Sequence, residues 1–327
     1  MKKALVGILF STAGLYVAFR QMEMDDLRSA FSGVDWPAIV LASAIMVASV
    51  WIRALRWKII LSPIRNVGTH SLFSATMIGY FGNSILPLRM GEFMRAFALS
   101  RGGHSVTASA TFGTLIVERL LDMIGFMVLM LVLFSSYQIP SWLANSGLIL
   151  SVVVILLSTI LFWIASSRKE WVNRLERLSI LQKGIGLKLK SVFHSLIEGI
   201  ATLRSGYQPG GLVFYSSVLW LMYWSIAWLS AQALDIEMSL LQLGIVMVSI
   251  TMVIILPSAP GFIGTYHAGA VLVLVEVFNV DQTPAQAYAI INHAIGFVPL
   301  VIIGALYFFR SSLKLGDVTS MEISTNG

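Results

Sequence analysis

Apolar residues along this chain come in long uncharged runs, and polar residues gather between the runs. Stretches of about 17–25 apolar residues match the thickness of a bilayer crossed by a helix, and strand-length alternation is absent. The pattern therefore predicts helical membrane spans and disfavours a β-barrel. Full crossings are predicted at Ala4–Phe19, Pro37–Ile52, within Thr107–Tyr137, and at Gly147–Ser166, Leu212–Leu234 and Ala285–Phe309. The start, MKKALVGILFSTAGLYVAF, has the basic end and apolar core of a signal peptide, but Phe19 and Arg20 stand where small cleavage-site residues would. An uncleaved first helix is expected.

Two apolar stretches do not fit single crossings. Ser71–Leu88 can enter the membrane but leads into the charged sequence ILPLRMGEFMR, Ile85–Arg95. Met238–Val275 contains no Asp, Glu, Lys or Arg; as one helix it would measure about 57 Å against a hydrocarbon core of about 30 Å. It must break, and LPSAPGFIG, Leu256–Gly264, supplies the breakers. Each stretch reads as a hairpin, re-entrant in preference to fully crossing.

Composition agrees: 57% of residues are hydrophobic and 12% charged, well outside the usage of soluble domains. With no cysteine, disulfides, Cys-ligated metal and thiol nucleophiles are excluded. The net charge of +6 points to topology and not to nucleic acid, because its distribution is one-sided. With a cytoplasmic N-terminus, Arg53, Arg56, Arg65, Arg89, Arg95, Arg101 and the basic residues of 168–204 and 310–314 fall on the cytoplasmic side, Arg20 and Arg28 fall outside, and Arg119 lies within a span. Outer segments carry Glu23, Asp25, Asp26, Asp35, Asp235, Glu237 and Asp281. The positive-inside tendency is satisfied only if the two hairpins open to opposite faces. Residues 168–208 form the longest polar segment. Its apolar positions, Trp171, Leu175 and Leu178, then Leu189, Phe193, Leu196 and Ile200, keep helical spacing among basic residues. Helices lying on an anionic leaflet are expected there, with a disordered polar tail over 311–327.

Leu86–Pro87 and Leu256–Pro257 are 170 residues apart, as are Gly91 and Gly261. The same offset roughly superimposes the helices before and after each hairpin, and the first helix of each half runs in the opposite direction. That is an inverted repeat, the arrangement in which transporters place broken helices and binding sites near the midplane. The expected fold is thus an all-α polytopic membrane protein with about six full transmembrane helices and two re-entrant hairpins. It would form one domain over 1–310 with inverted repeats at about 36–137 and 211–309.

The motifs RALRWKIIL (Arg53–Leu61), GYFGNSILPLRMGEFMRAF (Gly79–Phe97), VERLLD (Val117–Asp122) and LPSAPGFIGTYHAG (Leu256–Gly269) resemble the lysylphosphatidylglycerol synthase transmembrane-region family of flippase-like membrane proteins. Many members carry a glutamate after the second hairpin motif, where this chain has Thr265, Tyr266 and His267. A cation-linked role for that glutamate therefore does not carry over. The resemblance implies movement of a lipid or lipid-linked head group between leaflets of the cell's inner membrane. The soluble aminoacyl-transferase domain of the best-known members has no counterpart in this sequence, so synthase activity is not expected. No cofactor, metal or nucleic acid is expected; anionic membrane lipids are the expected partners, with a separately encoded lipid-modifying or glycosyl-transferring enzyme as a further one.

A lipid phosphate leaving the head-group layer needs positive charge and directed donors. Arg89 and Arg95 can supply guanidinium forks, the half-helix after Pro87 can supply free N–H groups, Gly91 permits close approach, and Asn83 joins this head-group set. Glu92 lies three residues from each arginine and can balance them. A second intramembrane cluster, Glu118, Arg119 and Asp122, has two acids for one base and needs an outside cation, for which Arg89 or Arg95 is placed. The competing readings are a surface helix with snorkelling arginines and a charge network that only ties helices together. In the second half Pro257, Pro260, Gly261 and Gly264 break the helix, followed by Tyr266 and His267. Asn292 and His293 sit in the last span, as proton carriers or as packing elements. No catalytic residue is assigned; a membrane enzyme acting on a lipid-linked phosphate or sugar, with Glu92 or Asp122 as base, and a non-catalytic partner of a separate synthase stay open as alternatives.

Overall fold

The computed structural model describes residues 12–16, 18–19, 24–86, 90–167, 169–171, 185–202, 208–255, 259–311 and 313, and every element among them is helical. After helical residues at 12–16 and 18–19 come α1 (Met24–Ser32), α2 (Trp36–Leu61), α3 (Thr69–Ile85), α4 (Gly91–Arg101), α5 (Ala108–Ser135) and α6 (Ser141–Ser166). These are followed by α7 (Ile185–Ala201), α8 (Pro209–Gln232), α9 (Leu240–Ile254), α10 (Thr265–Phe278) and α11 (Gln282–Arg310).

Local chemistry sets these boundaries. Proline stands in the first turn of α2 and of α8, where its missing N–H costs nothing. Thr107 caps α5 by accepting from the Ala110 N–H at 3.1 Å. A reciprocal box opens α9: Ser239 Oγ accepts from the Gln242 N–H, and Gln242 Oε1 accepts from the Ser239 N–H. The second hairpin breaks where expected. Pro260 starts a single 3₁₀ turn, Pro260–Phe262, and Gly261 and Gly264 take φ of +71° and +93°, values that favour glycine.

Length separates two kinds of helix. The 26, 28, 26, 24 and 29 residues of α2, α5, α6, α8 and α11 give rods of roughly 36–44 Å, longer than a bilayer core. The hairpin helices α3, α4, α9 and α10 have 17, 11, 15 and 14 residues, or roughly 16–26 Å. Among the described residues, five segments are long and apolar enough to cross a membrane: Trp36–Leu61, Ser141–Ser166, Pro209–Gln232, Pro260–Phe278 and Gln282–Arg310. The expected crossing at Ala4–Phe19 lies largely outside the described residues. α5 has the length, but Glu118, Arg119 and Asp122 interrupt its apolar run.

The helices of the two halves recur at the offset read from the sequence. Adding 170 to the bounds of α2, α3 and α5 lands within five residues of the bounds of α8, α9 and α11. Contacts recur as well. α2 lies against α8; α3 meets α11 as α9 meets α5; α2 meets α11 as α8 meets α5; and each hairpin packs its two helices together and onto the helix that follows. Glycines allow the close approaches: Gly91 against the Gly79 carbonyl within the first hairpin, and Gly304 of α11 against the Met77 backbone of α3. α6 lies outside this arrangement, with Leu148, Ile149, Val152 and Leu156 exposed as on a lipid-facing helix.

Within the basic segment, α7 docks along α5, with Gly199 against the backbone of Gly113 and with Ile197 and Ile200 buried. Of the apolar stripe read from spacing, Ile200 is buried and Leu196 half-buried near the Gly113–Gly199 contact, while Phe193 is 45% exposed. Trp171 is half-buried, Leu175 and Leu178 lie outside the described residues, and α1 stands where the sequence suggested only a loop.

Candidate functional site

α2 carries Arg53, Arg56 and Trp57, spaced so that all lie on one helix face; α5 carries Thr114, Glu118 and Asp122 at four-residue intervals. Because α2 and α5 touch and α4 packs on α5, the three helices direct charged side chains to one place. Arg53 Nη1 donates to Glu118 Oε1 and to Asp122 Oδ2, both at 2.8 Å. Arg56 Nη2 donates to Asp122 Oδ1 at 2.5 Å, and its Nη1 to Ser216 Oγ of α8 at 3.1 Å. Arg95 makes a two-pronged pair with Glu118, at 2.9 and 2.8 Å, and its guanidinium stacks 3.9 Å from the Trp57 ring centre. Trp57 is itself held by an Nε1–H bond to Thr114 Oγ1 at 3.0 Å.

Burial is nearly complete: Glu118 and Arg56 are 0% exposed, Arg95 2% and Arg53 6%. The exposed end is formed by Arg119, its side chain 44% exposed, which pairs with Glu92 and with Asp122; Glu92 lies 3.9 Å from Arg95. Four guanidinium groups face three carboxylates, which leaves one positive charge in excess when all are ionised. The Nε–H groups of Arg53, Arg56 and Arg95 are buried and have no acceptor among the described residues.

Of the residues singled out from sequence, Arg95, Glu92, Glu118, Arg119 and Asp122 therefore come together. Arg95 supplies the outside cation that the two acids of α5 require. Asn83 and Gly91 sit one step away: the Gly91 N–H, first of α4, donates to Asn83 Oδ1 at 2.8 Å, which fastens the hairpin across its break. Pro87, Arg89 and Pro257 lie outside the described residues. Arg53 and Arg56 were placed among the cytoplasmic-side basic residues and in no site; α2 runs on to Leu61, and both arginines are buried within the protein. The available signal was their i, i+3 spacing within RALRW on an uninterrupted helix. Ser216 and Tyr223 on α8 gave no such signal.

The second half repeats the site without its charges. At the offset of 170, Arg53 corresponds to Tyr223, Glu118 to Tyr288 and Asp122 to Asn292. Arg53 donates to the hydroxyl of Tyr223, its own counterpart, at 3.1 Å. Asn292 Nδ2 donates to Tyr266 Oη at 2.8 Å and Tyr288 Oη at 3.3 Å, and Asn292 Oδ1 accepts from Ser230 Oγ at 3.1 Å. His267 and His293 stand beside this group with ring centres 4.8 Å apart. α11 continues through Pro299 without interruption. No group of three or more His, Cys, Asp or Glu suited to a metal occurs among the described residues.

Residues 4–304 match the family model described as the lysylphosphatidylglycerol synthase TM region. The chain belongs to this family. Two UPF0104 membrane proteins of Methanothermobacter thermautotrophicus are similar along almost their whole length. One is 26% identical over 299 residues, covering 87% of this chain and 85% of the relative; the other is 24% identical over 312 residues, covering 89% of each. A protein of Haloferax volcanii named glycosyltransferase AglD is 22% identical over 360 residues, but this chain spans only 56% of its length. No solved structure matches. Family membership and the apolar helices together make this an integral, multi-pass membrane protein of the lysylphosphatidylglycerol synthase TM-region type.

Proposed function

We propose that this protein binds the head group of an anionic lipid at the arginine cluster beside the first hairpin and moves it between the leaflets of the inner membrane. The observation that carries the reading is the buried cluster's excess of one positive charge together with three Nε–H groups that have no acceptor among the described residues. An arginine without a partner in the membrane costs roughly 2.5–3.5 kcal/mol on insertion scales. Pairing with Glu118 and Asp122 offsets that cost in the empty protein, and a phosphate can take over one guanidinium as a carboxylate releases it. Arg89, next to the break, is assigned to the same anion. Arg95 reaches it by exchanging Glu118, which now occupies both of its terminal nitrogens.

The lipid tails stay in the bilayer while the head group follows the polar interior between the halves. Support for alternating access comes from the recurrence of helix order and contacts at an offset of 170 residues. In our reading the halves are inverted, both hairpins re-entrant, and both termini cytoplasmic. The α2–α8 contact lies at the pseudo-twofold axis, as the Arg53–Tyr223 bond between equivalent residues suggests. The Gly/Pro breaks at 87–91 and 257–264 allow the hairpins to move.

Reconstituted vesicles with fluorescent phosphatidylglycerol, read leaflet by leaflet, test the proposal. Faster translocation than for phosphatidylcholine is expected, together with at least a tenfold loss in an Arg89→Ala, Arg95→Ala protein that still purifies folded. Unchanged transport in that protein sinks the site assignment.

The likeness to AglD favours, as a second reading, chemistry on a lipid-linked phosphate or sugar, alone or beside a separately encoded enzyme. Product formation in detergent, where no leaflets exist, would favour that reading, and stable co-purification with such an enzyme its partner form.

A further inference from the structure

The second half places two histidines where neither serves the arginine cluster. His267, in the first turn of α10, accepts the Gly264 N–H on Nδ1 at 3.4 Å. A ring nitrogen that accepts carries no proton, so the proton of the neutral ring is on Nε2. His293 of α11 has Nε2 2.8 Å from the Gly261 carbonyl oxygen. A carbonyl only accepts, so Nε2 is protonated there and Nδ1 keeps its lone pair. The backbone of one break, Gly261 to Gly264, thus holds both rings as the Nε2–H tautomer but engages opposite nitrogens, Nδ1 of His267 and Nε2 of His293.

Both rings line a groove of about 420 Å³, walled by Leu15, Ile263, Ile290, Phe297 and Val298. That volume is within the range of small-ligand sites, roughly 300–1,000 Å³. His267 is 7% exposed, and no hydrogen bond joins the rings or engages His267 Nε2 or His293 Nδ1 among the described residues. The groove therefore holds one unused donor and one unused acceptor against apolar walls, with no lysine or arginine among the described residues that line it. The N-terminal helix closes one side: Gly14 lies against the Gly264 backbone, and Phe19 contacts the His267 ring at 5.5 Å.

We infer that this groove binds the hydroxyl of an uncharged lipid alcohol, with the hydrocarbon chain along the apolar wall. A hydroxyl is the small group that both donates and accepts; its oxygen accepts from His267 Nε2–H and its O–H donates to His293 Nδ1. A phosphate fits poorly, because its oxygens only accept and would face the His293 lone pair without a cation to compensate. The exchange of Glu118 and Asp122 for Tyr288 and Asn292 between halves points the same way: the corresponding positions of the second half carry no charge. The inference does not depend on the arginine site's function.

Photolabelling of the full-length protein in phosphatidylcholine nanodiscs tests it. The probe is a long-chain primary alcohol with a diazirine in its chain, and its methyl ether is the control, since it keeps the acceptor but loses the donor. Peptides spanning 263–267 and 290–298 should be labelled at least about fivefold more by the alcohol, and excess unlabelled hexadecanol should compete. Labelling of lipid-facing α6 should be equal for both probes. In His267→Phe and His293→Leu proteins the preference should vanish. Equal labelling of the groove by alcohol and ether overturns the proposal, and because that comparison uses the unaltered chain, it decides even if the variants fail to fold. A preference undiminished in folded variants also overturns it.

Discussion

Glu118 accepts from arginines on two different helices, and neither its own carboxylate nor those guanidinium groups touch water. Replacing it removes the charge that compensates Arg53 and Arg95 while leaving both buried, and breaking a buried pair from one side costs roughly 3–5 kcal/mol. Glu118→Gln should therefore lower the thermal midpoint in detergent sharply, and Glu118→Gln with Arg95→Gln should recover part of the loss, because fewer charges are left uncompensated. Arg119→Ala acts on a half-exposed side chain and should cost under about 1 kcal/mol. Similar losses for Glu118→Gln and Arg119→Ala would contradict the burial-dependent account. The acids of α5 were readable from sequence, since two carboxylates and one arginine within an apolar run demand a further cation. Arg53 and Arg56 were not: charge at the end of a span usually marks the cytoplasmic boundary, and only the contact between α2 and α5 turns it inward.

At the scale of elements, the first hairpin depends on a close approach of backbones. A Cβ built on Gly91 meets the Gly79 carbonyl and the Asn83 side chain, whereas one built on Gly210 at the start of α8 meets nothing within 4 Å. Gly91→Ala should destabilise by about 1–3 kcal/mol, as overpacking does, and should weaken the Asn83–Gly91 clasp. Faster amide hydrogen exchange is then expected in 91–95 relative to unaltered protein, with Gly210→Ala as the neutral comparison. Equal exchange in the two variants would mean that the hairpin is not held by this contact. The second break was visible in sequence because proline and glycine interrupt an apolar run too long for one helix, and the first because proline, glycine and charge end an apolar run where the lysine and arginine distribution requires a return. The docking of α7 on α5 was not visible: its spacing announced an amphipathic helix, but spacing does not name the partner, and a pair of glycines far apart in sequence supplies one.

For the whole molecule, the order and contacts of α2–α5 recur in α8–α11, but recurrence does not by itself fix which way each half faces the membrane. Inversion makes a definite claim about four exposed sites outside the helices. Asn66 and Ser105 flank the first hairpin, Glu237 and Asp281 the second, and a re-entrant hairpin keeps both of its flanks on one side. The chain contains no cysteine, so single Asn66→Cys, Ser105→Cys, Glu237→Cys and Asp281→Cys proteins can be labelled without background. A membrane-impermeant maleimide applied to intact cells should modify the cysteines at 237 and 281 and spare those at 66 and 105 until the cells are opened. If 66 and 105 label from opposite sides, the first stretch crosses the membrane once and is no re-entrant hairpin. If all four label from one side, the halves are parallel and not inverted. Opposite openings matter because the charged break and its uncharged counterpart would then face different leaflets, so that an anionic head group meets the arginine cluster from one leaflet only.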